Sequence, residues 1–355
     1  MNGRGPARTE TETVLRQGIR VRFPGECGFP FRVENSVRPP RKGTFVISTG
    51  TPNHVAEDIY TALRASLRSS DPLANQVLDQ VLAKQGKGVR PVFMALVAEL
   101  IGGTWDSVRN GAVVVESVHL ASLLHDDVLD HAALRRGMET VNARHSDKVS
   151  ILIGDHIIVE AFQMAQVLAG GQVVPILLRG IRSMVRGEIR DVLDRDRFDE
   201  QQYLSVVRDK TAALFSGAAE LSMLLAGGGE RERALACELG ENVGIAFQII
   251  DDALDYGNTA GKPSNSDFQA GNITLPLIYA LRDVSVEEKQ RFVADASLTP
   301  ERLNAFVAER GGIEYAFARA REYADQARSV VARFERPAVA EKFNGFFDML
   351  LSRSA

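Results

Sequence analysis

The sequence predicts an all-α protein, a single large helical bundle, and three observations carry that prediction. Apolar residues recur at spacings of three and four from about Pro52 to the end of the chain, as in Val77, Leu78, Val81 and Leu82 and again in Phe343, Phe346, Phe347 and Leu350. Strand-like alternation is confined to Gly43–Thr51. Turn residues punctuate the pattern at short intervals, and no charge run or composition shift marks a second domain.

Residues 1–52 differ from the rest. They hold nine Lys/Arg against four Glu, several Pro and Gly, and no sustained helical period. A transit peptide is Arg-rich and acid-poor, whereas Glu10, Glu12, Glu26 and Glu34 stand here, and the apolar stretch of a secretory signal is missing. This segment is expected to be a poorly ordered extension, with a targeting role as the alternative, and residues 53–355 are expected to form the helical domain. Breaks at Gly102-Gly103, Gly170-Gly171, Gly227–Gly229, Gly257, Gly261–Pro263 and Gly311-Gly312 divide that domain into about ten or more helices. Pro91 is expected to open one of them at its first position.

The most apolar helix, around Val113–Leu129, is interrupted by Glu116, His119 and acids near its end, so it reads as a buried helix. No transmembrane segment is expected, because no stretch approaches the roughly 20 apolar residues of a span. The formal charge of −4 is too mild to argue for nucleic acid or a membrane surface. Cys27 and Cys237 match no metal or redox spacing, which fits a reducing, cytoplasmic compartment.

One short motif, Asp-Asp-x-x-Asp, occurs twice. Asp126, Asp127 and Asp130 form the first copy and Asp251, Asp252 and Asp255 the second, each behind an apolar helical run. Residues four apart share a helix face, so Asp126 projects with Asp130 and Asp251 with Asp255. Like charges at that spacing cost roughly 0.2–0.5 kcal/mol per pair. Acids at a helix C-terminus also oppose the macrodipole. Buried unpaired carboxylates would cost far more, so a cation should accompany them. Oxygen ligands shared with phosphates are the preference of Mg²⁺. No Asp-rich loop with EF-hand spacing is present.

Phosphates held by such a metal need further positive partners. Lys87 and Arg90 stand in a Gly-rich stretch before a helix, where the backbone and the helix N-terminus favour an anion. Arg135 and Arg136 follow the first motif, and as neighbours on a helix they would point in different directions. Lys210-Thr211 and Lys262 add more charge. His119 lies seven residues before Asp126 and so on nearly the same face, a possible phosphate contact; His125 reads as a hydrogen-bonded core residue.

These residues resemble the trans-isoprenyl diphosphate synthase (polyprenyl synthetase) family, most closely its long-chain members. The matching stretches are Gly86–Pro91, Glu116–Asp130, Leu134–Gly137, Gly154-Asp155, Lys210–Phe215, Phe247–Asp255 and Gly261–Pro276, in family order over about 190 residues. The resemblance implies a prenyltransferase whose helices surround a deep central cavity, usually in a homodimer. It implies that Asp126, Asp130 and Asp251 hold Mg²⁺, with Asp127, Asp252 and Asp255 supporting. Lys87, Arg90, His119 and Arg136 would bind isopentenyl diphosphate, and Arg135, Lys210 and Lys262 the allylic diphosphate. Thr211 and Gln248 would lie beside the reacting carbons. Gln85, Gly88 and Asn272 depart from the commoner pattern, Asn272 standing where many members have a lysine.

Product length is expected to depend on residues beneath the first motif. Ala121 and Ser122 are small and lie roughly 6–8 Å below the metal site at helical rise. In the resembled family a bulky aromatic there stops growth early, so small residues imply a long all-trans product of the quinone side-chain type. The alternatives are a geranylgeranyl or farnesyl diphosphate synthase, or a catalytic subunit needing a small non-catalytic partner. A terpene cyclase would lack the Lys87/Arg90 site and the arginine pair, and a purely regulatory subunit would lose aspartates that this chain retains.

Overall fold

The computed structural model describes residues 51–83, 86–135, 137–193, 198–256, 266–295 and 297–351, all within one compact unit, Ser48–Ala355. The expected extension therefore lies, but for its last two residues, outside the described residues, as do Gln85, Arg136, Gly257, Lys262 and the Gly261–Pro263 turn.

The first helix, α1 (Thr51–Ser66), starts slightly before the expected boundary, so Thr51 is helical rather than the end of a strand. Pro52 is tolerated there because the first N–H groups of a helix have no intrahelical acceptor. α2 (Pro72–Val81) is capped by Asp71, which accepts from the Leu73 N–H at 2.8 Å. α3 (Val89–Glu99) corrects the expectation for Pro91, which sits at its third position. Gly88, in the left-handed conformation at φ 60°, turns the chain into the helix two residues earlier. α4 (Trp105–Leu129) opens on a Thr104/Ser107 capping box and ends with Asp130 as its C-cap.

Arg135 is not helical: Leu134–Arg135 (β1) pairs antiparallel with Met138–Glu139 (β2), Arg135 opposite Met138. Gly137, at φ 73°, supplies the backbone reversal that ends helical geometry here. Next come α5 (Val141–Arg144), α6 (Asp147–Val167) and, after a 3₁₀ turn at Leu168–Gly171, α7 (Val173–Leu193). α8 (Glu200–Val207) runs through a π-helical turn, Arg208–Ala212, into α9 (Ala213–Leu225). The remaining helices are α10 (Glu230–Asp255), the short α11 (Ser266–Gln269), α12 (Leu275–Ala280), α13 (Val286–Val293), α14 (Pro300–Glu309), α15 (Gly312–Ala332) and α16 (Pro337–Leu351).

The all-α prediction holds, with one two-residue ribbon as its exception among the described residues. α9 is the central helix, packed against α3, α4, α7 and α10, while α4 lies on α6 and α10 on α15. One buried cluster joins α3, α9, α10, α15 and α16 around Phe93, whose ring lies 5.8 Å from Phe215 and 5.9 Å from Phe346. The other joins α1, α4, α6 and α7 through residues such as Ile59, Leu63, Val114, Ala121 and Ile157.

The sequence expectation about membrane spans needs a qualification. Asp147–Gly171 is long and apolar enough to cross a membrane by length and composition, and only 28% of its apolar 18-residue stretch is buried. It carries Asp155, His156 and Glu160, and Ser150 donates to the Leu124 carbonyl at 2.9 Å, so one face belongs to the bundle.

Buried charge also ties helices together. Glu220 on α9 accepts from Arg179 of α7 at 2.6 Å and from Arg233 of α10 at 2.9 Å. Burial works against its charge, but the two arginines hold its carboxyl below the ordinary range. Beside it, burial and the Glu220 charge push the Cys237 thiol up to about 11, so this free cysteine is a poor nucleophile at neutral pH. A depressed folded-state carboxyl stabilises above its unfolded pKa, and that contribution is lost as pH falls through the folded value. Glu220→Gln should therefore cost about 2 kcal/mol in urea unfolding at pH 7. The difference from wild type should vanish at acid pH; a pH-independent difference would mean that charge is not the cause.

Candidate active site

α4 and α10 bring both aspartate motifs to their C-terminal ends, with the π turn of α8–α9 packed on α10. The six aspartates divide by partner. Asp127 is buried and accepts from Arg135 Nε at 2.5 Å. Asp252 is buried and accepts from the Tyr203 hydroxyl at 2.6 Å and from Gln248 Nε2 at 2.7 Å. Asp255 is also buried and engaged. Asp126, Asp130 and Asp251 accept no side-chain hydrogen bond among the described residues, Asp126 and Asp251 half-buried and Asp130 exposed.

The electrostatics follow from that division. Burial, with Glu188 and Asp130 adding negative charge, pushes Asp126 up to about 7 even though Lys210 and Arg135 pull it down. Burial likewise raises Asp252 far above the carboxylate range, against the hydrogen bonds from Tyr203 and Gln248. A half-buried carboxylate with no donor is a place where a cation lowers the free energy. No three His, Cys, Asp or Glu among the described residues gather into a cage for a bare ion. Divalent ions that retain water and share phosphate oxygens need only one or two carboxylates each, so Asp126, Asp130 and Asp251 fit as their holders.

Lys210 and Thr211 sit in the π turn, where the extra residue widens the helix and re-aims its side chains. Two glycines let neighbouring helices approach this turn. A Cβ on Gly187 of α7 would lie 2.7 Å from the Lys210 backbone N, and one on Gly244 of α10 would lie 2.5 Å from Ala212 Cα. Held this way, Lys210 Nζ pairs with Glu188 at 2.8 Å and Asp191 at 2.9 Å, both on α7. Burial alone would lower its pKa, but these two carboxylates raise it above the ordinary value and keep the ammonium charged. Thr211 donates to Gln248 Oε1 at 2.6 Å, and the chain continues through Asp252 to Tyr203. The adjoining Asp209 is held by Arg186 and Arg190.

The other expected contacts spread over neighbouring elements. Arg90 is buried in the first turn of α3 with its guanidinium 4.6 Å over the Phe215 ring; Lys87 is exposed just before that helix, and His119 is half-buried on α4. His125 lies against α6: Nε2 is 3.4 Å from Asp155 Oδ1 and 3.3 Å from the Ile151 carbonyl. A Cβ on Gly154 would be 2.4 Å from that nitrogen, which gives Gly154-Asp155 a packing role beneath the first motif. Ala121 is fully buried between helices, whereas Ser122 is half-buried and donates back to the His119 carbonyl at 2.9 Å. Arg136 and Lys262 lie outside the described residues.

Sequence reasoning missed Glu188, Asp191 and Tyr203. The acids at 188 and 191 are three apart on one helix face beside Gly187, a detectable signal. Tyr203 carried none.

The polyprenyl synthetase family model matches residues 71–305. Heptaprenyl diphosphate synthase component 2 of Geobacillus stearothermophilus is 36% identical over 252 residues, covering 70% of this chain and 76% of that protein. Octaprenyl diphosphate synthase of Escherichia coli is 33% identical over 285 residues, covering 76% and 86%. The crystal structure of a polyprenyl synthase from Caulobacter crescentus, complexed with calcium and isoprenyl diphosphate, superposes with a TM-score of 0.80 at 29% identity, covering 89% of this chain and all of that one. Two aspartate motifs closing on a charged π turn, in a chain that matches this family over most of its helical unit, make the protein a prenyltransferase belonging to the polyprenyl synthetase family.

Proposed function

We propose that the enzyme is a Mg²⁺-dependent all-trans polyprenyl diphosphate synthase that joins isopentenyl diphosphate head-to-tail onto an allylic diphosphate, giving a long-chain product of the quinone side-chain type. The observation that carries this reading is the set of three aspartates, Asp126, Asp130 and Asp251, that accept no side-chain hydrogen bond among the described residues, at the C-terminal ends of α4 and α10.

The reaction breaks the allylic C–O bond, with the electron pair leaving on the diphosphate. The π bond of isopentenyl diphosphate forms the new C–C bond, and a proton then passes to the released pyrophosphate. Asp126, Asp130 and Asp251 would hold Mg²⁺, which would supply charge neutralisation of the departing diphosphate. The protein's own groups do the positioning. Lys210 has three N–H donors and spends two on Glu188 and Asp191, which leaves one for phosphate. Arg135 donates its Nε to Asp127 and keeps its two amino groups for the allylic diphosphate, with Lys262 completing that site. Thr211 gives its proton to Gln248, so the lone pairs on Thr211 Oγ1 remain to face a cationic carbon. Lys87, Arg90, His119 and Arg136 bind isopentenyl diphosphate in this reading.

Product length rests on Ser122 more than on Ala121. Ser122 is one turn below Asp126 on the same face of α4, and Val115 is three turns below, about 16 Å at helical rise. There a small apolar cavity of about 10 Å³ is lined by Val115, Ile176, Leu177, Gly180, Leu214 and Leu221, from α4, α7 and α9. Ser122→Phe should shorten the product by several isoprene units with little loss of total incorporation.

A homodimer is proposed from the exposed apolar residues along α6 and α7, among them Leu152, Val159, Leu178, Val185 and Ile189, and residues 1–52 as an extension outside the catalytic domain. The likeness to a protein named as component 2 favours a second reading, a catalytic subunit requiring a partner chain. The test is incorporation of labelled isopentenyl diphosphate by the purified chain with farnesyl diphosphate and Mg²⁺, with dephosphorylated products sized by chromatography. Products beyond twenty carbons support the reading, a stop at twenty discards the length argument, and no turnover transfers the proposal to the two-component form.

A further inference from the structure

Away from the aspartates, a half-open cavity of about 200 Å³ lies at α8, α12 and α13, and the prenyl transfer does not use its chemistry. Its floor is apolar, Leu275 and Ile278, and its walls carry charge. Lys289 on α13 lines it with the side chain nine-tenths buried, 9% exposed. Among the described residues its ammonium makes no hydrogen bond and no ion pair. Its one contact of note is the Phe198 ring, 5.8 Å away, at the outer limit of a cation–π interaction.

The acids that line the same cavity are already committed. Both oxygens of Glu200 are taken, one by the Tyr315 hydroxyl at 2.5 Å and the other by Arg319 Nε at 2.8 Å. Asp199 caps α8, accepting from the Gln202 N–H at 3.0 Å, where the helix N-terminus offsets its charge. A second cation, Arg282, lies at the wall, stacked 4.1 Å over Tyr279, held by the Tyr279 carbonyl at 2.9 Å and paired on its outer side with the exposed Asp283 at 3.5 Å. A buried ammonium without a counterion is unfavourable, and burial demands that its partner be an anion with hydrogen-bond acceptors. The volume holds several waters' worth of ligand, each water taking about 30 Å³, which suits one or two phosphate groups.

We propose that this cavity is a second, metal-independent site for a phosphate-type oxyanion, anchored by Lys289 with Arg282 beside it. The site abuts the catalytic machinery mechanically. Glu200 opens α8, Tyr203 three residues on bonds Asp252, and the same helix runs into the π turn that carries Lys210 and Thr211. An anion seated at the start of α8 thus fixes the helix that orients Asp252. The inference is independent of product length and of the metal.

The test is calorimetric titration of the full chain in EDTA with orthophosphate, pyrophosphate and isopentenyl diphosphate as separate probes. Wild type should show a binding component that Lys289→Met weakens at least tenfold, that Lys289→Arg retains, and that Lys87→Met leaves in place. Tightest binding of pyrophosphate identifies the inorganic anion, and tightest binding of isopentenyl diphosphate a prenyl diphosphate head. Lys289→Met should melt no lower than wild type in phosphate-free buffer, because it removes an uncompensated charge. An isotherm unchanged by Lys289→Met overturns the proposal. So does a lower melting temperature for that variant, which would mean that the ammonium already has its counterion within the fold.

Discussion

Asp126→Asn is expected to lower kcat at least about 100-fold while raising the melting temperature of the metal-free enzyme at pH 8. The catalytic loss follows from the proposed role of Asp126 in holding the cation that would neutralise the departing diphosphate; one such electrostatic group is worth about 10²–10³ in rate. The stability gain has the opposite origin. Asp126 is half-buried with no donor among the described residues, and burial together with Glu188 and Asp130 pushes its pKa up to about 7 from an ordinary 3.8. A carboxyl with a raised folded-state pKa favours the fold in its neutral form. Its contribution is complete below pH 3.8 and is lost as pH rises through 7. Asn is neutral at every pH, so the variant should gain at pH 8 and match wild type near pH 4. Thermal melts in EDTA at the two pH values check this. A variant that melts lower than wild type at pH 8 would show that the carboxylate is stabilised within the protein and needs no cation.

Gly244→Val should produce the largest loss among substitutions of residues that bear no functional group. The new Cβ would stand 2.5 Å from Ala212 Cα and 2.9 Å from its Cβ, a clash with backbone that no side-chain rotation relieves. α10 must then move off the π turn, and the 2.6 Å Thr211–Gln248 bond spans that same contact. Overpacking of this kind costs about 1–3 kcal/mol in stability. A displacement of about 1 Å at the site costs on the order of 100-fold in rate. Steady-state kinetics at a temperature where the circular dichroism remains native separate the two effects. A folded Gly244→Val enzyme with wild-type kcat would show that the π turn does not set the reacting geometry.

The helices, both aspartate motifs and the order of the cationic residues were legible in the sequence because their signals are local. A helical period needs only residues three and four apart, and the aspartates at the ends of α4 and α10 declare themselves by a spacing that is unfavourable without a ligand. Lys210 stood out as a further cation, whereas Gln248 and the role of Thr211 were found through the resemblance of their stretches. Arg135 was misplaced on a helix because the reversal at Gly137 competes with a helical reading of a short segment, and Pro91 was placed two positions early because Gly88 also starts the turn.

By itself, the sequence determined which side chains are present and which face of which helix they occupy. Only the tertiary structure decided which of them are spoken for. Asp252 is taken by Tyr203, 49 residues away, Lys210 by Glu188 and Asp191 on the preceding long helix, and Asp127 by an arginine on a ribbon, while Asp126, Asp130 and Asp251 accept no side-chain donor among the described residues. The division depends on distances of about 3 Å between elements remote in sequence, and on glycines whose missing Cβ permits the approach. Periodicity along one helix carries no information about what packs against it.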